Sequence, residues 1–165
     1  MEITNQKQAV SLKIQKSVAL LALIIIIGLI YFANILSHST FGLTRNQIAL
    51  FIVSGFALFF IFHFLRNHNY IYYTDTGNKF ILRYFSLRPF ADKKNAIEFS
   101  KAEFHNYEIN VSALGLRKDL VIYRKTPKGL AKYPPVSITA LDRSDREKML
   151  SSFQKLVILN QDNGG

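Results

Sequence analysis

The chain has 165 residues, of which 49% are hydrophobic and 13% aromatic, with 21 Lys and Arg against 11 Asp and Glu for a formal charge of +10. It contains no cysteine, which excludes a cysteine nucleophile and fits a cytosolic domain. The basic surplus points to an anionic neighbour, and seventeen of the basic residues lie from Arg66 onward, against ten acidic ones.

Residues 1–16 read as a polar N-terminal tail carrying Lys7, Lys13 and Lys16. Two apolar runs follow, Ser17–Leu36 and Asn46–Leu65, with only Arg45 as a charged residue from Ser17 to Leu65. At 1.5 Å per residue, about 20 residues cover a hydrocarbon core of about 30 Å, and lipid forces both runs to be helical because it offers nothing to an unpaired backbone amide. The first run is too long for a signal-peptide core, lacks a small-x-small cleavage site, and is followed by a second run. The expected architecture is a transmembrane hairpin over 17–65. Lysine and arginine flank its outer ends, whereas the loop around His38–Thr44 has none, so both termini are expected in the cytoplasm. Gly28 and Gly55 either permit close helix approach or are ordinary membrane-helix glycines. His63, near the end of the second run, reads as a snorkelling histidine. Tyr31, Tyr70, Tyr72 and Tyr73 suit interfacial belts, although the last three equally suit a strand.

Only Asn67, His68 and Asn69 separate Arg66 from a strand pattern, so one domain is expected over 69–158. Tyr70–Thr74 and Lys79–Ser86 flank the turn residues Asp75-Thr76-Gly77-Asn78 and predict a hairpin with Phe80, Leu82 and Tyr84 on one face. Ala96–Phe99 is a short strand. Tyr107, Ile109 and Val111 alternate while Phe104 is out of phase, which predicts a bulge near His105. Leu120–Arg124 is a strand, Thr126–Gly129 a turn, and Val136–Ala140 the last strand, entered through Pro134 and Pro135. The period then becomes helical through Met149, Leu150, Phe153, Leu156 and Val157, giving a helix over 143–158 with Ser144 and Glu147 as a capping box and Asp142 as a competing N-cap. The residues 159–165 read as a flexible tail.

The hairpin YIYYTDTGNKFILRYF, the strand NAIEFS, the strand LVIYRK and the terminal helix DRSDREKMLSSFQKL come in an order that resembles a bacterial pleckstrin-homology-like domain. The resemblance covers residues 70–158 and rests on element order. It implies an α+β membrane protein: a two-helix hairpin, then a bent antiparallel sheet, nearly a barrel, closed by a C-terminal helix. The helix of such domains is often anchored by Trp; here Phe153 takes that place. Some such domains bind phosphorylated lipid heads through basic loops, and many bacterial ones are protein-interaction modules.

The basic clusters Lys93, Lys94, Arg117, Lys118, Arg124, Lys125, Lys128 and Lys132 are the candidate contacts to an anionic surface, at about 1 kcal/mol each near an anionic leaflet; solubility and the positive-inside bias account for them equally well. Nucleic acid is not expected, because the aromatics follow strand period and are needed for a core. No HExxH, GxSxG or glycine-rich phosphate loop occurs, and the four histidines are scattered, so no catalytic, cofactor or metal residue is assigned. Glu98, Glu103 and Glu108 read as exposed. The Ala131–Val136 segment either shapes entry to the last strand or offers a docking edge. The functional expectation is a non-enzymatic membrane protein presenting a basic module to a protein partner or an anionic leaflet; the alternative is an accessory subunit of a transport or secretion complex whose spans form the interface.

Overall fold

The computed structural model describes residues 1–32, 43–88 and 93–162. Its architecture is α+β, with two long apolar helices and antiparallel sheets. The chain divides into two compact units, Val10–Phe64 and a second made of Met1–Ala9 with Leu65–Gly165.

The helical unit holds most of α1 (Gln6–Phe32) and α2 (Arg45–Leu65). The first helix starts eleven residues earlier than the apolar run, because the intervening QKQAVSLKIQK has no Gly or Pro and is rich in helix formers. The remainder of that run, 33–36, and most of the expected loop lie outside the described residues. Thr44 and Gln47 form a capping box that opens α2: the Thr44 N–H donates to Gln47 Oε1 (2.8 Å) and the Gln47 N–H to Thr44 Oγ1 (3.4 Å). Near this end the Tyr31 hydroxyl donates to Asn46 Oδ1 (3.2 Å) and the Arg45 guanidinium sits 5.0 Å over the Tyr31 ring. No atom lies within 4 Å of where a Cβ on Gly28 or Gly55 would sit, so neither glycine mediates close approach among the described residues. His63 Nδ1 meets the Phe59 carbonyl one turn back at 3.0 Å. Both helices are long and apolar enough to cross a membrane, and only 6% of the residues in each one's most apolar stretch are buried.

The second unit carries eight strands, one complete α-helix and a short 3-10 turn (Lys101–Glu103) among the described residues: β1 (Glu2–Thr4), β2 (Asn69–Thr74), β3 (Lys79–Ser86), β4 (Lys94–Ser100), β5 (Phe104–Ser112), β6 (Arg117–Thr126), β7 (Gly129–Lys132), β8 (Val136–Ser137) and α3 (Arg143–Asp162). One antiparallel sheet runs β1-β2-β3-β4; a second runs β5-β6-β7, with β8 also paired to β6. The expected 70–86 hairpin forms as predicted, with Phe80 and Leu82 fully buried and Tyr84 packed against the core. The bulge falls where expected, as a register shift between Phe104 and Asn106.

Three differences from the sequence reading stand out. Residues 2–4, read as tail, form β1 on the edge of the first sheet, with Ile3 buried opposite Tyr73. The expected strand Val136–Ala140 is only two residues long, and Gly129–Lys132 forms a strand where the sequence pattern gives the end of a turn and the approach to the last strand; Pro134 and Pro135 between them have no N–H for a ladder, so β6 is served by two short partners. The capping box of α3 does not form. The Arg146 N–H donates to Asp142 O (2.9 Å), so Asp142 opens the helix, while Arg143 takes the Glu147 carboxylate (2.7 Å) and holds it below the usual carboxylate range. The helix continues to Asp162, tied down where Asn160 Nδ2 donates to the carbonyls of Lys101 and Phe104 (2.7 Å each); 163–165 lie outside the described residues.

The core sits between the sheets under α3. Phe153 is fully buried with its ring 5.2 Å from Tyr73, 5.4 Å from Phe80, 5.5 Å from Phe104 and 5.4 Å from Tyr107. Met149 and Leu156 complete the buried stripe of the helix.

Candidate functional site: an aromatic and cationic groove at one pole of the domain

Side chains alternate along β2, so the burial of Ile71 and Tyr73 turns Tyr70 and Tyr72 to the outer face. Register then decides their neighbours. Tyr70 lies opposite Phe85 and stacks on it at 4.7 Å; Phe85 lies opposite Lys94; Tyr72 lies opposite Arg83, and Arg83 opposite Ala96. The small side chain of Ala96 leaves a gap among larger ones. The result is an open groove of about 370 Å³ lined by these residues with Tyr84 and Asn95. Arg83 and Lys94 have no acidic partner among the described residues. Loss of water contact, and the Glu2 carboxylate beside it, push the Tyr72 hydroxyl above its ordinary value; burial does the same for Tyr84. An aromatic wall with two cations suits a ligand with an apolar body and a negative group.

The groove lies toward the pole of the domain where the chain leaves for α1 and returns from α2. Asn5, the residue between β1 and α1, donates through Nδ2 to Asn69 O (2.9 Å). With its amide oriented to satisfy both neighbours, the Asn69 side chain donates to His68 O (3.3 Å) and accepts from the Ser137 N–H (3.2 Å). Ser137 lies opposite Asp119 near the start of β6. Gln8 reaches Asp142 at the start of α3. The opposite pole holds the Asp75–Asn78 turn, where the Lys101 N–H donates to Asn78 O (3.0 Å), and the end of α3.

This geometry divides the eight basic residues expected to act together. Lys93 and Lys94 lead into β4, and Arg117 and Lys118 open β6, all at the helix-junction pole. Lys125 and Lys128 are exposed at the β6–β7 turn, and eight strand residues, or about 26 Å, separate Arg117 from Lys125. Arg117 pairs with the buried Asp119 (2.8 Å). Arg124 pairs with Glu103 (2.9 Å) and lies 5.5 Å over Phe99; Lys132 lies 5.5 Å over Tyr123. Glu103 is thus half-buried and engaged, whereas Glu98 and Glu108 are exposed, the latter accepting from the Tyr123 hydroxyl (2.9 Å). Of the groove, the sequence reading singles out Lys94 alone as a contact. Tyr70, Tyr72, Arg83 and Phe85 become one site only through a register that sequence spacing does not print. Among the described residues no three His, Asp or Glu side chains gather as metal ligands.

No family model matches the chain, and neither a curated protein nor a solved structure matches it.

Proposed function

We propose that the protein is a non-enzymatic, integral protein of a bacterial inner membrane, in which the helical hairpin anchors a pleckstrin-homology-like module that docks an acidic partner or an anionic leaflet from the cytoplasmic side. The observation that carries this reading is the uncovered apolar surface of the helices. Ile24 is 61% exposed, Phe51 67% and Leu58 68%, against near-complete burial for the large apolar side chains of the domain core. Covering each such side chain is worth about 1.5–3 kcal/mol, which lipid or a partner must supply. The order of two antiparallel sheets followed by a helix that closes them through Phe153 supports the pleckstrin-homology-like reading. The pairing of β1 with β2 supports a membrane topology with the N-terminus and the domain on one side, and the basic flanks support the cytoplasm as that side. The groove is the docking site, with Arg83 and Lys94 receiving the negative group.

A phosphatase fused after Gly165 tests the topology: it stays inactive in cells if the domain is cytoplasmic, and activity from an exported fusion overturns the assignment. Extraction of the protein from membranes by alkaline carbonate overturns the anchor.

A second reading, an accessory subunit whose spans form an interface with a larger transport or secretion complex, is favoured by the same exposed apolar surface, of which Phe51 and Leu58 are the most exposed large apolar side chains of α2. Alanine substitutions separate the two. Loss of partner from F51A/L58A favours the spans, and loss from R83A/K94A favours the groove.

A further inference from the structure

The hairpin joining β5 to β6 combines strain and exposure without any gain inside the molecule. Its turn holds Ala113 (φ 50°), Leu114 (φ 56°) and Gly115 (φ 86°) in succession in the left-handed region. Glycine is at ease there, but Ala and Leu bring Cβ toward the following carbonyl and pay for the conformation. Asn-Gly or Gly-Gly fills such turns without that cost. Leu114 nevertheless stands fully exposed at the tip, and Val111 before it is 60% exposed.

The base of the hairpin is fixed. The Leu116 N–H donates to Ala113 O (3.1 Å), the Lys118 N–H to Thr139 Oγ1 (3.0 Å) and the Ile138 N–H to Lys118 O (2.8 Å). Arg117 is braced by Asp119, and Lys118 has no acidic partner among the described residues. The line Asn5–Asn69–Ser137–Asp119 ties this base to the point where the chain passes into both apolar helices. An apolar tip backed by a cation, at the pole that carries the helix junctions, has the chemistry of a group that seeks the boundary between headgroups and acyl chains.

We infer that the β5–β6 hairpin is a lipid-contacting wedge, with Leu114 and Val111 entering the acyl boundary of an anionic bilayer and Lys118 meeting its headgroups. The inference rests on the membrane reading above and adds a third contact between the chain and lipid. It predicts that the domain is held against the leaflet and does not swing on its two linkers.

The chain has no tryptophan, so single reporters can be placed at will. The full-length variants L114W, L58W in α2 and K128W at the opposite pole are reconstituted in vesicles of phosphatidylglycerol and phosphatidylcholine, with and without brominated acyl chains. The expected result is blue-shifted emission and strong quenching by brominated lipid for L58W and L114W, with K128W water-like and unquenched. If L58W is quenched and L114W behaves like K128W, the wedge is overturned while the anchor stands. If L58W is also unquenched, the membrane reading fails and the wedge with it. Equal quenching of L114W in purely neutral vesicles overturns the part assigned to Lys118.

Discussion

Asn5 grips the backbone of Ile71 from both directions: its N–H donates to the Ile71 carbonyl (3.2 Å), and its side-chain Oδ1 accepts from the Ile71 N–H (2.8 Å). The side chain therefore continues the β1–β2 ladder for one step after the backbone has turned into α1, whose first bond runs from the Ala9 N–H to Asn5 O (2.9 Å). Asn5 is fully buried, so water cannot replace these bonds. Asn5→Ala leaves the Ile71 N–H and the Asn69 carbonyl unpaired. It is expected to cost about 2–4 kcal/mol. Denaturant unfolding of the detergent-solubilised protein measures this; a loss under about 0.5 kcal/mol, within the range of surface substitutions, would remove Asn5 from the joint.

The same joint makes the domain discontinuous in sequence. Deleting residues 1–5 removes β1, uncovers the edge of β2 and exposes the side of the core that Ile3 covers. An open edge bearing Ile71 and Tyr73 is a template for pairing with other chains. The truncated protein, and equally a fragment starting at Asn69, is expected to associate in size-exclusion chromatography. A monodisperse, cooperatively melting fragment would show that β1 is dispensable.

Phe153 is the centre of the aromatic cluster, with four rings within 5.5 Å. Phe153→Ala is expected to destabilise the domain by about 3–5 kcal/mol, the usual cost of a cavity of that size. Phe153→Leu retains much of the burial but loses the ring contacts, so its cost should fall well below that. The ordering of the two midpoints is the test, and equal midpoints would mean that the cluster relaxes around the site.

Phe153 was legible in the sequence because helical spacing and strand alternation are local signals. The Tyr70–Ser86 hairpin, the bulge at His105 and the apolar stripe of α3 rest on the same kind of signal, and each is where the pattern places it. What escaped is non-local. A three-residue strand such as Glu2–Thr4 has no period to detect, and its partner lies about seventy positions away. The shortening of the last strand to β8 and the additional strand β7 depend on how Pro134 and Pro135 meet β6. The groove is a matter of register: Tyr70, Phe85 and Lys94 fall in three segments, and only cross-strand pairing makes them neighbours. The partition of the basic residues between two poles is likewise a property of strand direction, since Arg117 and Lys125 open and close the same strand.

Asp75 supplies a pH signature at the pole opposite the helix junctions. Burial would raise its carboxyl, but hydrogen bonds from the amino group of Met1 and from Ser152 Oγ (2.7 Å) outweigh that and hold it below the usual carboxylate range. Ser152 also meets the Tyr73 hydroxyl at 2.9 Å. A carboxyl with a lowered folded-state value stabilises the fold above its unfolded value of about 3.9, and that contribution is lost as pH falls through the lower folded value. The stability difference between the native chain and Asp75→Asn should therefore be constant between about pH 5 and about pH 7 and shrink as acid is added below about pH 4. A difference that does not change over that range would place the effect in packing and not in charge.

Leu114 separates the demands of folding from those of the surface. Its left-handed conformation costs a leucine about 1–2 kcal/mol, whereas asparagine occupies that region more readily through local hydrogen bonding. Since the side chain is fully exposed, replacing it removes no packing inside the chain. Leu114→Asn is therefore expected to stabilise the detergent-solubilised protein by about 0.5–1 kcal/mol. The same substitution takes away the apolar tip that the wedge requires, so in anionic vesicles the domain should become more accessible to protease at the β5–β6 turn. Higher stability in detergent with higher protease sensitivity on vesicles is a combination that a purely structural role for Leu114 does not produce. If the variant is less stable in detergent, the strain argument is wrong; if protection on vesicles is unchanged, the tip does not meet lipid.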